Sequence, residues 1–366
     1  MLARLTAAAL IMAGLFTSAA LSSDLGALLS DAAEGTDAPG AGLLTIRDFS
    51  IADEAFYGVR RLGDPAAVAP SDLWNIGSDG KAMTAVMVAR LVEKGMLSWD
   101  ASLGALLPEM AADMRPEYRA VTLMQLMTHA SGLPENIVDE DVLNSLLYDE
   151  NPASPSERRK AYVARAFQDE PEERAGRFSY SNTGFLVAAV IAEKATGKTY
   201  ESLMEEEVFK PLAMTSAGFG QTPADGNVGH IDERVAVPRD ANPDFIAPAG
   251  NIYMTLEDWA RFCIDQLKGA NGQGALLKPE TYAFMQTAPS GHPVSMGWFV
   301  RDSMAGLSGP VLFHQGSDGT WFAVVALFPA SGSGVLAVAN AGKDMDGDDL
   351  TEDAALSAAR LFANGK

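Results

Sequence analysis

The stretch from Lys81 to Val92, KAMTAVMVARLV, is apolar on nearly every side of a helical wheel, with charge only at its ends and at Arg90. A surface helix keeps one polar face, so a helix without one must be enclosed by other elements. The stretch predicts a central, buried helix that Gly95 ends. Enclosing it takes a long chain. The 366 residues, 48% of them hydrophobic, are enough for one large domain or two smaller ones.

Around that helix the signals separate by region. AGLLTIRDFSIADEAFYGVRRLG (Ala41 to Gly63) reads as two strands around a polar turn. From about 101 to 286 the pattern is mostly helical and rich in Gly and Pro punctuation. TGFLVAAVIAEKATG is closed by Gly197, and Thr255-Leu256-Glu257-Asp258 has the form of a capping box. Beyond Met296 strands return: WFAVVALFP and GVLAVAN flank ASGSG as a hairpin, and a final helix runs from about Thr351 to Ala363. The expected fold is α+β, an antiparallel sheet built from the N- and C-terminal parts and flanked by helices. A mostly helical region is inserted between those parts.

Formal charge is -21, with 48 acidic against 27 basic residues, which disfavours nucleic acid and anionic membrane surfaces as partners. Residues 1–23 carry Arg4, an apolar run from Leu5 to Leu21 and small residues suited to a signal peptidase. They predict a cleaved signal peptide, a mature domain over 24–366 without membrane insertion, and a periplasmic or secreted location; an uncleaved anchor is the competing reading. Cys263 is the only cysteine, so no disulfide forms within the chain. The four histidines lack metal-ligand spacing, and no metal or cofactor is expected.

The tetrapeptide Gly-Ser-Asp-Gly occurs twice, at Gly77–Gly80 and Gly316–Gly319. In the first copy Ser78 stands three residues before Lys81, on the same face of a helix start. Desolvation and the positive end of the helix dipole both lower a lysine pKa there, towards a neutral amine that can take a proton from a serine. The Ser78 N–H, free at a helix N-terminus, can donate to an oxyanion. The competing reading is an N-capping serine beside a lysine that reaches solvent.

S-x-x-K opening a buried helix resembles the serine β-lactamase and penicillin-binding protein superfamily. Other segments agree in chain order: VTLMQLMTHASGLP (Val121 to Pro134), GRFSYSNTGF (Gly176 to Phe185), VFKPLAMTSAGFG, APAGNIYMTLEDWARF and SMGWFV. The resemblance covers about Leu43 to Asn340. It is strongest to the class C β-lactamase-like branch, which also holds esterases and D-amino-acid-specific peptidases. It implies a β-lactamase/transpeptidase-like fold with Ser78 as nucleophile, Lys81 as its base partner, and Tyr180 as the proton shuttle to the leaving group. Asn182 is implied to bond Lys81 or a substrate amide. His314, Gly316 and Ser317 match the third motif. Gly316 there would let substrate lie along the strand, and the Ser317 N–H would be the second oxyanion donor. His129 belongs to a structural turn by the same resemblance.

Two positions depart from the family. His314 replaces the third-motif lysine, and a neutral imidazole anchors a substrate carboxylate poorly, which disfavours strong β-lactamase activity. Asp79, beside the nucleophile, is placed to raise the Lys81 pKa. The expected activity is hydrolysis of an ester, a small amide or a D-amino-acid peptide, including cell-wall material. The alternatives are a non-catalytic module that binds cell-wall peptides and a weak β-lactamase or DD-carboxypeptidase. Apolar residues between Val138 and Tyr148 are candidates for the pocket lining.

Overall fold

A computed structural model describes residues 24–148 and 153–363, so the predicted signal segment lies outside the described residues. The N-terminal hairpin forms as expected from β1 (Gly40–Arg47) and β2 (Ser50–Gly58). Four strands near the C-terminus complete the sheet: β3 (Phe299–Met304), β4 (Leu307–Ser317), β5 (Phe322–Phe328) and β6 (Ser333–Ala339). Their order is β2-β1-β6-β5-β4-β3, antiparallel throughout, with β1 paired to β6 so that the two ends of the chain close one sheet.

The helices around it are α1 (residues 24–33), α2 (Gly80–Glu93), α3 (Leu123–Met127), α4 (Glu140–Tyr148), α5 (Pro155–Ala166), α6 (Asn182–Thr196), α7 (Leu256–Ala270) and α8 (Gly347–Ala363). Successive residues of a strand point to opposite faces, and here both faces are covered. Leu43 and Val324 join the core under α1 and α8, whereas their neighbours Leu44 and Val325 join the larger core containing α2, α6 and α7. That is why β1, β5 and β6 read as unbroken apolar runs. Helix α2 is enclosed as its sequence requires, with every residue from Gly80 to Ala89 buried.

Three local expectations change. Helix α8 starts at Gly347, ahead of Thr351, because Asp348 and Asp349 enter its first turn, where the helix dipole favours acidic side chains. The inserted region also contains strands. Trp74–Asn75, Gly218–Phe219 and Ile252–Met254 make a small sheet, and His230–Ile231 pairs with Arg234–Val235. Such short pieces leave no alternating pattern to read. At the start of α7, Thr255 caps the Asp258 N–H at 3.2 Å, but the Asp258 carboxylate takes the Ser216 N–H instead of completing the box.

Candidate active site

The nucleophile turn is assembled from three chain segments. Ile76 N–H donates to Ile252 O at 3.0 Å, and Gly77 N–H donates to the Asn75 side chain at 2.8 Å. The Asn75 amide in turn donates to Asn251 Oδ1 at 2.6 Å and to Asp318 Oδ2 at 3.3 Å. Residues Gly77–Asp79 form a single 3₁₀ turn before α2 begins, so Ser78 sits just ahead of the α-helix rather than within it. Gly77 has φ +49°, a left-handed conformation that suits glycine. A Cβ on Gly77 would lie 2.2 Å from Ser317 N, and one on Gly316 would lie 2.1 Å from Ile76 O and 2.7 Å from Ser78 N. The glycine of the third motif therefore makes room for the nucleophile turn, not for substrate. The two copies of Gly-Ser-Asp-Gly face each other backbone to backbone, which brings the Ser78 and Ser317 amides together.

Lys81 is fully buried and its Nζ stands 2.8 Å from Ser78 Oγ. Burial lowers its pKa from 10.5 to about 7, against the raising effect of Glu135 and Asp79. Lys81 Nζ also donates to the Ala249 carbonyl. With one N–H spent there, the lone pair of a neutral amine is free to accept the Ser78 hydroxyl proton. The Ala249 segment is held from behind: Thr84 Oγ1 donates to Pro248 O at 2.9 Å and meets Tyr200 Oη at 2.8 Å. Buried Arg159 donates to Phe245 O at 3.0 Å.

Tyr180 comes to the same place from the N-terminal side of α6. Its hydroxyl hydrogen-bonds Ser78; burial pushes its pKa up, and the Ser78 bond opposes that rise. The Tyr180 ring stacks on His129, with centroids 4.3 Å apart and planes inclined by 19°. His129 accepts the Ser181 N–H at Nδ1 from 2.9 Å, is fully buried, and has φ +51° at the turn after α3. It thus fixes both the start of α6 and the plane of Tyr180. Burial, followed by the Lys81 charge, holds its pKa well below the ordinary histidine value, so the ring is neutral.

Asn182 takes a different partner from the expected one. Its amide donates to Asn136 Oδ1 at 3.3 Å and Glu135 Oε1 at 3.4 Å, and among the described residues makes no bond to Lys81. The cap of α6 is Ser181, whose Oγ accepts the Gly184 N–H at 3.1 Å. Asn182 does face the cleft of about 130 Å³ that contains Ser78 and Ser317.

His314 is 2% exposed and lies behind the nucleophile turn, where it does not line this cleft. Its Nδ1–H donates to Gln315 O at 2.7 Å, and the same nitrogen is 3.6 Å from Asp79 Oδ1. Burial, then the Lys81 charge, lowers its pKa to about 3, so the imidazole is neutral. Asp79 is buried as well, and neither carboxyl oxygen has a hydrogen-bond partner. Burial pushes the Asp79 pKa well above the carboxylate range, against Lys81. Asp79 and Lys81 would each stabilise the other's charge, but desolvation is the larger effect for both: it favours the neutral carboxyl of Asp79 and brings the Lys81 pKa to about 7, where a large share is the free amine. The expected rise of the Lys81 pKa from Asp79 is therefore outweighed by burial.

Sequence reasoning passed over two groups at this site, Glu135 and the Ala249 carbonyl, which belong to no motif. His129, read as part of a structural turn, does stand in one, with a left-handed backbone that is unusual for a non-glycine residue. A cavity of about 690 Å³ beside Pro310, His292 and Asn271 contains none of the candidate residues.

A sheet closed by both chain ends, with a lysine-bearing buried helix under it and two serines on facing turns, defines the β-lactamase/transpeptidase-like class. Residues 25–360 match the family described as Beta-lactamase, and the chain belongs to that family. Protein flp of Staphylococcus aureus (strain MW2) is 23% identical over 314 residues, covering 82% of this chain and 59% of flp. The chain thus spans about three-fifths of the length of that relative. Among solved structures, the octameric penicillin-binding protein homologue from Pyrococcus abyssi superposes with TM-score 0.75 at 22% identity, over 94% of this chain and 77% of that one. The D-stereospecific amidohydrolase from Streptomyces sp. gives 0.70 at 22% identity, over 89% and 97%. At these identities the two structures speak for the fold alone.

Proposed function

We propose that the chain is an exported serine hydrolase that transfers an acyl group through Ser78. The observation that carries this reading is the 2.8 Å contact between Ser78 Oγ and a buried lysine whose pKa is lowered to about 7. A lysine kept as ammonium would be of no use to the serine; a neutral one at hydrogen-bond distance is a general base.

In the proposed cycle Ser78 Oγ attacks the substrate carbonyl carbon while its proton passes to Lys81 Nζ. The N–H groups of Ser78 and Ser317 receive the developing oxyanion. The tetrahedral intermediate collapses, the bond to the leaving group breaks, and the proton returns to the leaving atom by way of the Tyr180 hydroxyl. Water then attacks the acyl-enzyme, with Lys81 again taking the proton, and restores Ser78. Tyr180 acts as a neutral phenol, which relays protons without becoming the base. Asn182 and Asn136 are placed on the cleft wall to bond polar atoms of the substrate.

The substrate is an ester or small amide, with D-amino-acid peptides of cell-wall origin among the candidates. Among the described residues none that lines the cleft is charged, and the third-motif histidine is neutral and buried. A carboxylate-bearing β-lactam or peptide terminus therefore lacks a cationic anchor, which ranks ester cleavage above β-lactam cleavage. Ser78→Ala should reduce ester turnover by at least about 10³-fold with an unchanged melting transition. Undiminished hydrolysis in that variant would refute the assignment. Export rests on residues 1–23; protein secreted by a bacterial host should begin after that segment by intact mass, and protein that keeps residues 1–23 and stays inside the cells would contradict export.

A further inference from the structure

Helix α4 is unusual among the helices around the cleft. None of its residues is fully buried, yet Val142, Leu143, Leu146 and Leu147 lean on the core with part of their surface left free. An amphipathic helix that stops short of burying its apolar face has surface to offer a ligand. Leu143 and Leu147, one turn apart, line the Ser78 cleft, and Ile246 faces it from the Asp244–Ile246 turn. The two apolar walls are held at a set spacing by one side chain. Arg158 on α5 donates to Leu146 O at 3.3 Å and Leu147 O at 3.1 Å, closing the end of α4. The same guanidinium contacts Asp244 Oδ1 at 3.4 Å and covers the Phe245 ring at 4.6 Å. At its other end α4 is capped by Asp139, whose Oδ1 accepts the Val142 N–H at 3.2 Å.

The remaining lining is amide: Asn136, Asn182 and Asn242. Glu135, which accepts from the Asn182 amide at 3.4 Å, is an exposed carboxylate beside this wall. The Arg158 charge is taken up by Asp244 and two carbonyls. A substrate group entering between α4 and Ile246 thus meets apolar carbon on two sides and neutral amides on a third, with no cation in the lining among the described residues.

We propose that Leu143, Leu147 and Ile246 form the acyl-side specificity pocket of the hydrolase, built for a short, uncharged, apolar acyl group. The cleft of about 130 Å³ has room for about four water-sized groups, at roughly 30 Å³ each, which matches a chain the length of butyryl. This inference rests on the acyl-transfer reading above.

The test uses the full-length mature protein and p-nitrophenyl esters of acetate, butyrate, hexanoate and octanoate, with the glutarate half-ester as the anionic probe. The wild type should prefer butyrate or hexanoate over acetate by about tenfold or more in kcat/KM, and should take the glutarate half-ester at least about tenfold more poorly than hexanoate. Leu147→Ala and Leu143→Ala should move the optimum to longer chains, raising the octanoate-to-butyrate ratio of kcat/KM by at least about fivefold. Leu147→Phe should lower the hexanoate-to-acetate ratio of kcat/KM at least about tenfold. Ser78-dependent acetate turnover with a chain-length profile that none of these variants moves would overturn the pocket assignment alone. No Ser78-dependent turnover of any ester would overturn the hydrolase reading and this inference with it.

Discussion

Replacing Lys81 with methionine should abolish most turnover, by on the order of 10³-fold in kcat/KM, while making the protein more stable at neutral and acidic pH. The two effects have one origin. Burial drops the Lys81 pKa from 10.5 to about 7, which amounts to roughly 5 kcal/mol favouring the neutral amine. Below pH 7 the folded protein must carry that lysine protonated in its interior, and the whole penalty is felt. Between pH 7 and 10.5 the unfolded chain binds the proton and the folded one does not, so wild-type stability rises with pH. Methionine has no such slope. Its advantage in melting temperature, a few degrees at pH 6, should shrink as pH climbs through that window. Loss of the bond to the Ala249 carbonyl offsets part of the gain. Wild-type kcat/KM should rise with pH around 7 as the base loses its proton. Glu135→Gln removes the largest charge holding the Lys81 pKa up, so that limb should move to lower pH. Paired thermal melts and pH–rate profiles check both; a variant that is inactive but no more stable at pH 6 would mean the lysine is not buried as described.

Gly316→Ala should damage stability and turnover together. The new Cβ would lie 2.1 Å from Ile76 O, 2.7 Å from Ser78 N and 2.8 Å from Asp79 N. All three are backbone atoms of the turn that carries the nucleophile, so no side chain can swing away. Either β4 or the turn has to move. Overpacking of this kind costs about 3 kcal/mol or more, and a displacement near 1 Å at a reacting group costs on the order of 10²-fold in rate. Urea unfolding and ester turnover measured on the same preparation should show both losses. Wild-type values for both would mean that β4 and the nucleophile turn are further apart than this packing allows.

Much of the framework was legible because its pattern is long. Helix α2 could be recognised as central since no face of it tolerates water, and β1, β5 and β6 since both their faces are covered. Ser78, Lys81 and Tyr180 could be named from motifs, and the structure brings them within one hydrogen-bonded group. What the sequence concealed is carried by backbone and by contact. The Ala249 carbonyl that orients Lys81 has no side chain to signal it. The stacking of His129 on Tyr180 depends on two segments about fifty positions apart meeting in space. His314 looked like a group facing the substrate, yet it lies buried behind the nucleophile, with Nδ1 3.6 Å from Asp79 Oδ1. The role of Gly316 was tied to a ligand when the nearer neighbour was the protein's own main chain.

The central claim is that Ser78 becomes acylated, and intact-mass spectrometry after brief exposure to p-nitrophenyl butyrate tests it most directly. The account predicts one added butyryl group on the wild type, decaying with time, and none on Ser78→Ala. An adduct of the same mass and lifetime on Ser78→Ala would contradict it.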